Sequence, residues 1–143
     1  MLSGYRDREA LESAVLRPFQ TAFQQEIYPT IEQKGAALFH AINIGHAFID
    51  GNKRTSIIAL EHFLVASGYF LAIGQQRMHD LALQTASYHE RGVTSQQSYG
   101  EVFEAMTGVV IHIRDFLRSK DMDSYQHLRK IHFSIRSLNQ ELS

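Results

Sequence analysis

The residues with the clearest chemical potential lie together at positions 46–55, in the run HAFIDGNKRT. The first N–H groups of a helix have no partner within the helix and carry the positive end of its dipole, so a loop that enters a helix there favours anions. Gly51 lets the backbone approach a bound anion, and Lys53 and Arg54 add two positive charges. Together with Asn52, which can hydrogen-bond a phosphate, these residues predict a phosphate cradle.

Two further side chains in this run suit a reaction at phosphate. Asp50 offers a hard oxygen ligand beside the cradle, of the kind that holds Mg²⁺ through one carboxylate. His46 lies at the end of the preceding helix, and an imidazole titrates near neutral pH, so it can take a proton from an incoming hydroxyl. Phe48 is expected to turn inward and anchor the loop to the core.

The alternative for this run is an ordinary polar turn. A single histidine near a helix end is more often structural than catalytic, and Asp-Gly-Asn followed by two basic residues suits a turn. However, a helical hairpin does not require a connection this long and this charged. Taken together, the residue types favour a site over a turn.

Apolar spacing places the run between two helices. Residues 7–17 show a helical period and form a first helix. A second apolar face begins after Thr30, a suitable N-cap, and ends near position 46. Residues 57–66 are apolar on nearly every side, so we expect this third helix to be central and buried and to end at Gly68.

The other segments give weaker patterns. Residues 19–28 have no clear period and predict a loop or an exposed hairpin. Further helices fit 78–90 and 95–106, the latter with Thr94 or Ser95 as its cap. Residues 109–117 fit either a short strand or a helix, and we favour the helix. Residues 124–142 have helical spacing and predict an amphipathic helix that packs on the body or on a partner.

Length and composition favour one globular domain. The chain has 143 residues, of which 44% are hydrophobic and 20% charged. It has no cysteine, which excludes disulfides and thiolate metal sites. With no membrane-length apolar run and no apolar leader at the start, we expect a cytoplasmic protein that does not bind membranes. The net charge of -1 gives no reason to expect direct nucleic-acid binding.

Apart from His46, the histidines show no metal-binding spacing. We expect them to face solvent or to make single hydrogen bonds. They are His40, His62, His79, His89, His112, His127 and His132.

The run at 46–55 resembles the Fic-superfamily pattern H-x-F-x-[D/E]-G-N-x-R. Every specified position matches, at His46, Phe48, Asp50, Gly51, Asn52 and Arg54. The resemblance covers about residues 4–106, and GYRD at 4–7, RP at 17–18, YP at 28–29 and GY at 68–69 are similar to Doc-like (death-on-curing) toxins. It implies an all-α, single-domain Fic-fold helical bundle spanning 1–143, with a short flap or hairpin before the motif helix pair. Residues 107–143 would be a C-terminal helical extension.

Two positions separate the branches of this superfamily. Fic-type AMP-transferases usually have glycine and a second arginine where this chain has Lys53 and Ile57, so both departures point to the Doc branch. The resemblance then implies a kinase-like toxin of a toxin–antitoxin system. Such a toxin would transfer the γ-phosphate of ATP to a threonine or serine of a target such as elongation factor Tu, inhibiting translation.

By the same resemblance, the roles of the site residues follow. His46 would be the catalytic base, Asp50 the Mg²⁺ ligand, and the nucleotide phosphates would be bound by Gly51, Asn52, Lys53 and Arg54. An AMP-transferase on the same scaffold and a catalytically silent binding module remain as alternatives.

The resemblance also implies partners. These are a protein substrate, a cognate antitoxin whose disordered tail folds onto the toxin and, through residues 107–143, a second copy of the chain. Residues 19–28 would be a flap that holds the target backbone by strand addition. Residues 137–142 nearly fit the inhibitory-helix pattern of some Fic proteins, but Ile57 replaces the arginine that such a helix engages, so we do not expect self-inhibition.

Overall fold

The computed structural model describes residues 7–45 and 51–119. In this part of the chain the helices are α1 (Arg8–Leu16), α2 (Ile31–Ile44), α3 (Asn52–Ala66), α4 (Gln75–Ala86), α5 (Ser95–Met106) and α6 (Ile113–Ser119). The short strands are β1 (Thr21–Ala22), β2 (Gln25–Glu26), β3 (Tyr69–Leu71) and β4 (Val110–His112), which form two antiparallel pairs, β1–β2 and β3–β4. The predicted all-α class is confirmed.

Side-chain caps fix where several helices begin. Asp7 caps α1 by accepting a hydrogen bond from the Ala10 N–H at 3.0 Å. Thr30 and Gln33 form a reciprocal capping box at the start of α2, with bonds of 2.9 and 3.1 Å, and Thr94 caps α5 in the same way. Each such cap contributes about 1 kcal/mol. The sequence predictions of Thr30 and Thr94 as N-caps are confirmed.

The centre of the molecule is α2, whose residues 35–43 are all buried. Gly35 lets it approach α3 closely, because a Cβ there would lie 3.0 Å from the Leu60 Cδ1. The expectation that the helix at 57–66 is the buried, central one is wrong. In α3 the buried residues are Ser56, Leu60 and Leu64, which are four apart and lie on one face. The other apolar side chains of α3 are only partly covered.

Residues 19–28 form the predicted hairpin. Its turn is made by Phe23 and Gln24, which have φ of 52° and 65°, and the Phe23 side chain is fully exposed. Lys34 on α2 holds the base of the hairpin, with its Nζ 2.7 Å from the Glu26 Oε1 and in contact with the Tyr28 carbonyl. The hairpin is therefore tied to α2 just outside its buried stretch.

Residues 109–117 contain both of the structures weighed for them. The favoured helix is wrong for 110–112, where β4 pairs with β3; α6 then begins at Ile113. The strand forms because the β-branched Val110 and Ile111 find a partner in the chain that follows α3. The rings of Phe70 and Phe116 then meet edge to face at 5.1 Å, below the strand pair.

Two further boundaries can be compared with their predictions. Gly68 has φ of +90° and follows the last turn of α3, as expected for a helix terminator. The helix predicted at 78–90 instead spans Gln75–Ala86, because turns that begin at Ser87 replace its last part. Within the described ranges, no helix has the length and hydrophobicity to cross a bilayer.

Several predictions fall outside the described residues. They concern the helix at 124–142, the inhibitory-helix pattern at 137–142, and His127 and His132. These stay predictions, as does the division of the chain into one domain with a C-terminal extension.

Candidate functional site at the start of helix α3

The start of α3 brings the predicted phosphate-binding residues together in one turn. Gly51 is the N-cap, with φ of 83°, and Asn52, Lys53 and Arg54 are the first three helical residues. The Lys53 and Arg54 side chains are exposed, and the first turn contains no acidic residue. The helix bond from the Thr55 N–H to the Gly51 carbonyl is 2.8 Å long. This turn therefore combines the positive end of a 15-residue helix with two solvent-facing cations.

Glycine at position 51 is required by the backbone and not by lack of space. A Cβ added there would meet no atom within 4 Å, but the residue lies in the left-handed region that side chains disfavour.

A buried hydrogen-bond chain holds this turn in place. The Ser56 hydroxyl donates to the Lys53 carbonyl at 2.6 Å. The Asn43 Nδ2 donates to the Ser56 Oγ at 3.3 Å and to the Ala82 carbonyl at 3.1 Å. Because Asn43 is on α2 and Ala82 on α4, the backbone of the predicted phosphate-binding turn is coupled to both neighbouring helices.

Asn43 and Ser56 were not among the site residues predicted from the sequence. A signal was present, since Asn43 stands among apolar residues near the end of α2, where an amide needs a buried partner. Both residues act on the site by position and do not face the solvent at the helix start.

The remaining predicted site residues, His46, Phe48 and Asp50, lie outside the described residues. Their roles as base, anchor and metal ligand stay predictions. Across the described ranges, no group of three or more His, Asp or Glu side chains is arranged to hold a metal ion, and the predicted Mg²⁺ ligand is not among the residues searched.

His40 differs from the expectation for the other histidines. It is only 7% exposed, and its Nε2 has no hydrogen-bond partner among the described residues. Burial and, to a lesser extent, the positive charge of Arg17 lower the pKa of His40 to about 4. The expectation of a solvent-facing ring is therefore wrong for His40, because position 40 falls within the buried stretch of α2. The alternative of a ring with a single hydrogen bond stays a prediction.

The other described histidines agree with the expectation. His62, His79 and His89 are exposed, and the His112 Nδ1 accepts one hydrogen bond, from the Arg114 N–H at 3.0 Å.

A cleft of about 370 Å³ lies further along α3, between it and the start of α4. Glu61 lines this cleft together with Ile57, and burial raises the pKa of Glu61 to about 7. This carboxyl is two turns beyond the phosphate-binding turn and was not singled out from the sequence.

Comparison with known proteins agrees with the sequence-based resemblance. Residues 2–64 match the Fic/DOC family model, a range that contains the whole run at 46–55. Toxin Doc of Mycolicibacterium smegmatis is 38% identical over 84 residues, covering 57% of this chain and 65% of that protein. The chain thus spans slightly less than two thirds of the length of this relative. No solved structure matches the chain. The predicted Fic/Doc resemblance is confirmed.

Proposed function

We propose that this chain is a Doc-like toxin of a toxin–antitoxin system that transfers the γ-phosphate of ATP to a hydroxyl of a target protein. The observation that carries this proposal is the start of α3, where Gly51 opens the helix and Lys53 and Arg54 extend into solvent from its first turn. The Fic/DOC match over residues 2–64 and the likeness to Toxin Doc support it.

The proposed reaction is an in-line displacement at the γ-phosphorus. The hydroxyl oxygen of a threonine or serine forms the new P–O bond, and its proton passes to the imidazole of His46. The bond from the γ-phosphorus to the β–γ bridging oxygen breaks, and ADP leaves with that electron pair. The first-turn N–H groups of α3 and the side chains of Asn52, Lys53 and Arg54 stabilise the charge on the phosphates.

The donor set fits a magnesium nucleotide as far as the described residues reach. An electropositive turn with two exposed cations suits polyphosphate oxygens, and Asp50 is the residue that would hold Mg²⁺. When bound, the ion would neutralise charge on the phosphates.

Lys53 favours γ-phosphate transfer over AMP transfer. Its side chain adds bulk and charge at the turn where AMP-transferases of the superfamily usually have glycine. Ile57, one turn further along α3, is half-buried beside Glu61 and supplies no second cation. Both residues bear on how the nucleotide lies on the helix start.

We extend the proposal to the biological setting. The target would be a protein such as elongation factor Tu, modification would inhibit translation in the cytoplasm, and a cognate antitoxin would neutralise the toxin. The β1–β2 hairpin would hold the target backbone by strand addition, which its exposed residues 21–26 support.

The experiment that tests the activity uses ATP labelled at the α- or the γ-phosphate, incubated with the purified chain and a bacterial lysate. We expect protein-bound label from γ-labelled ATP alone. His46→Ala should lower incorporation by roughly 100-fold or more, the size of a general-base contribution. His62→Ala, which removes an exposed imidazole from α3 itself, should leave incorporation unchanged.

The other outcomes separate the alternatives. Label from α-labelled ATP alone would establish AMP transfer. Label from neither nucleotide, with the protein folded, would support a silent binding module. Equal loss in the His46→Ala and His62→Ala proteins would refute a specific role for His46.

A further inference from the structure

A second polar cleft lies beside α2, where α1, the turn after it and the start of α5 meet. Its volume is about 230 Å³, which is room for several waters, since each takes about 30 Å³. It is lined by Ala10, Ser13, Ala14, Arg17, His40, Ala41, Ile44, Gly45 and Ser95. We call it the Arg17–His40 cleft after its two nitrogen-bearing side chains.

Both of these side chains have a buried nitrogen that is left unsatisfied. The Arg17 Nε and the His40 Nε2 have no hydrogen-bond partner within the described ranges, and the His40 side chain is only 7% exposed. A buried polar atom without a partner costs roughly 1–3 kcal/mol, and more when the group is charged. Two such atoms lining one cavity indicate that something else occupies their hydrogen-bonding positions.

The charged groups around the cleft indicate whether its ligand is positively or negatively charged. No aspartate or glutamate is among the lining residues that the structure describes, and none of the ion pairs found in the same part of the chain involves Arg17. Ser95, the first residue of α5, also faces the cleft and brings the positive end of that helix to it. A cation, a helix start and no carboxylate together favour an anion.

The surroundings of His40 add no competing charge. Its ring lies 6.4 Å from that of Tyr88 and 6.2 Å from that of Tyr99. The Tyr99 hydroxyl is engaged with the Gln33 carbonyl at 3.3 Å. Since neither tyrosine is hydrogen-bonded to the imidazole, the Nε2 remains available to a ligand in the cleft.

We propose that the Arg17–His40 cleft is an oxyanion-binding site that takes a phosphate-sized anion between the Arg17 guanidinium and the His40 imidazole. Arg17 donates its N–H groups to two oxygens, and the His40 Nε2–H donates to a third. The serine hydroxyls of Ser13 and Ser95 lie at the rim.

This site is separate from the proposed phosphate-binding turn. It shares no lining residue with the first turn of α3 and is formed by α1, the turn at 17–19, α2 and α5. It does, however, include Gly45, which directly precedes His46. An anion bound there would therefore contact the end of α2 from which the motif loop departs.

The test is a titration of the full chain with inorganic phosphate, against sodium chloride at equal ionic strength. The readout is the ring resonances of the histidines in a nitrogen-15 NMR spectrum. We expect a saturable shift at His40, separate from the shift that phosphate at the start of α3 would cause at His46. Arg17→Gln should raise the phosphate Kd measured at His40 roughly tenfold or more, as for loss of a charge-assisted hydrogen bond. Arg8→Gln, which removes an exposed arginine of α1, should leave the Kd unchanged.

Further variants keep the test decisive. Arg17→Lys retains the charge but loses the planar donor pair, so its Kd should lie between those of the wild type and Arg17→Gln; it also serves if the glutamine variant does not fold. Lys53→Gln combined with Arg54→Gln should leave the His40 shift intact.

Three results would overturn the proposal. They are the absence of a saturable His40 shift, an unchanged Kd in a folded Arg17→Gln protein, and loss of the shift on removing Lys53 and Arg54. None of these readouts depends on ATP turnover, so the site stands or fails independently of the proposed transfer reaction.

Discussion

Asn43 on α2 and Ser56 on α3 are joined by a buried hydrogen bond of 3.3 Å between the Asn43 Nδ2 and the Ser56 Oγ. Ser56 in turn donates to the carbonyl of Lys53, so a polar contact in the core sets the position of an exposed cation. The link explains how the backbone of this turn is held in place although the Lys53 and Arg54 side chains are exposed.

Removing the Asn43 amide should destabilise the protein. Asn43→Ala leaves the Ala82 carbonyl without its donor and opens a small cavity, which should cost about 1–3 kcal/mol. Urea unfolding of the variant and the wild type measures the difference. Ser56→Ala should cost less, and Ser67→Ala, at the exposed end of the same helix, should change little. An unaltered urea midpoint for Asn43→Ala would show that this hydrogen-bond chain does not stabilise the fold.

Alanine at position 51 should be tolerated less well than alanine at position 74. Gly51 and Gly74 are both helix N-caps with open space around them, but Gly51 has φ of +83° and Gly74 has φ of -65°. Gly51→Ala should lower the free energy of unfolding by about 1 kcal/mol because of left-handed strain. Gly74→Ala should have a smaller effect, and equal losses in the two variants would contradict the strain argument.

Glycine at position 53 should change which group of ATP is transferred, the γ-phosphate or AMP. Lys53→Gly removes the side chain argued to disfavour the AMP-transfer orientation, so label from α-labelled ATP should rise relative to label from γ-labelled ATP. Lys53→Ala, which avoids the helix-propensity cost of glycine of about 1 kcal/mol, should show a smaller rise. If neither variant incorporates the α-label, Lys53 does not set the orientation of the nucleotide.

His40 should make the protein less stable in mild acid. Its pKa is about 4 in the fold and 6.5 in the unfolded chain, so the unfolded state takes up the proton first. The contribution of the neutral His40 to the free energy of unfolding is fully present above pH 6.5 and is lost as the pH falls toward 4. It amounts to at most about 3 kcal/mol. Urea unfolding at pH 7 and pH 5 should show that the wild type loses more stability on acidification than His40→Gln does. His62→Gln, at an exposed position on α3, is the control and should behave like the wild type.

Glu61 should act in the opposite direction. Its pKa is about 7 in the fold and 4.5 when unfolded, so its contribution is present below pH 4.5 and is lost as the pH rises through 7. The free energy of unfolding of Glu61→Gln relative to that of the wild type should therefore be higher at pH 8 than at pH 5. Glu104→Gln, at an exposed position on α5, is the control. A gain that is the same at both pH values would exclude titration of Glu61 as its cause.

The helix starts and the grouping of Gly51 to Arg54 at one helix start could be predicted from the sequence because both are local. Thr30 and Thr94 cap helices through residues three positions away, and the residues from Gly51 to Arg54 are consecutive, so one helix start brings them together. Hydrophobic periodicity and capping residues predict contacts between residues only a few positions apart in the sequence.

Features set by packing could not be predicted in the same way. The residues around Ile57 are apolar on every side, yet α2 and not α3 became the central helix, because Gly35 and the small residues beside it allow close approach. The burial of His40 and Asn43 follows from that choice. Polar residues in a helix are usually exposed, so we expected His40 to face solvent or to make a single hydrogen bond, and Asn43 was not singled out.

The β3–β4 pairing has a consequence for how the chain folds. Tyr69 pairs with His112, and bonds of 2.7 Å from the Ala72 N–H to the Val109 carbonyl and 3.0 Å from the Ile113 N–H to the Gly68 carbonyl extend the contact. These residues are far apart in sequence, so pairing them closes a long loop. The chain loses the entropy of that loop before the strand pair contributes any stability to the fold. We expect this strand pair to slow folding relative to a bundle with local contacts alone, and to join the segment after α5 to the helices before it in one cooperative unfolding unit.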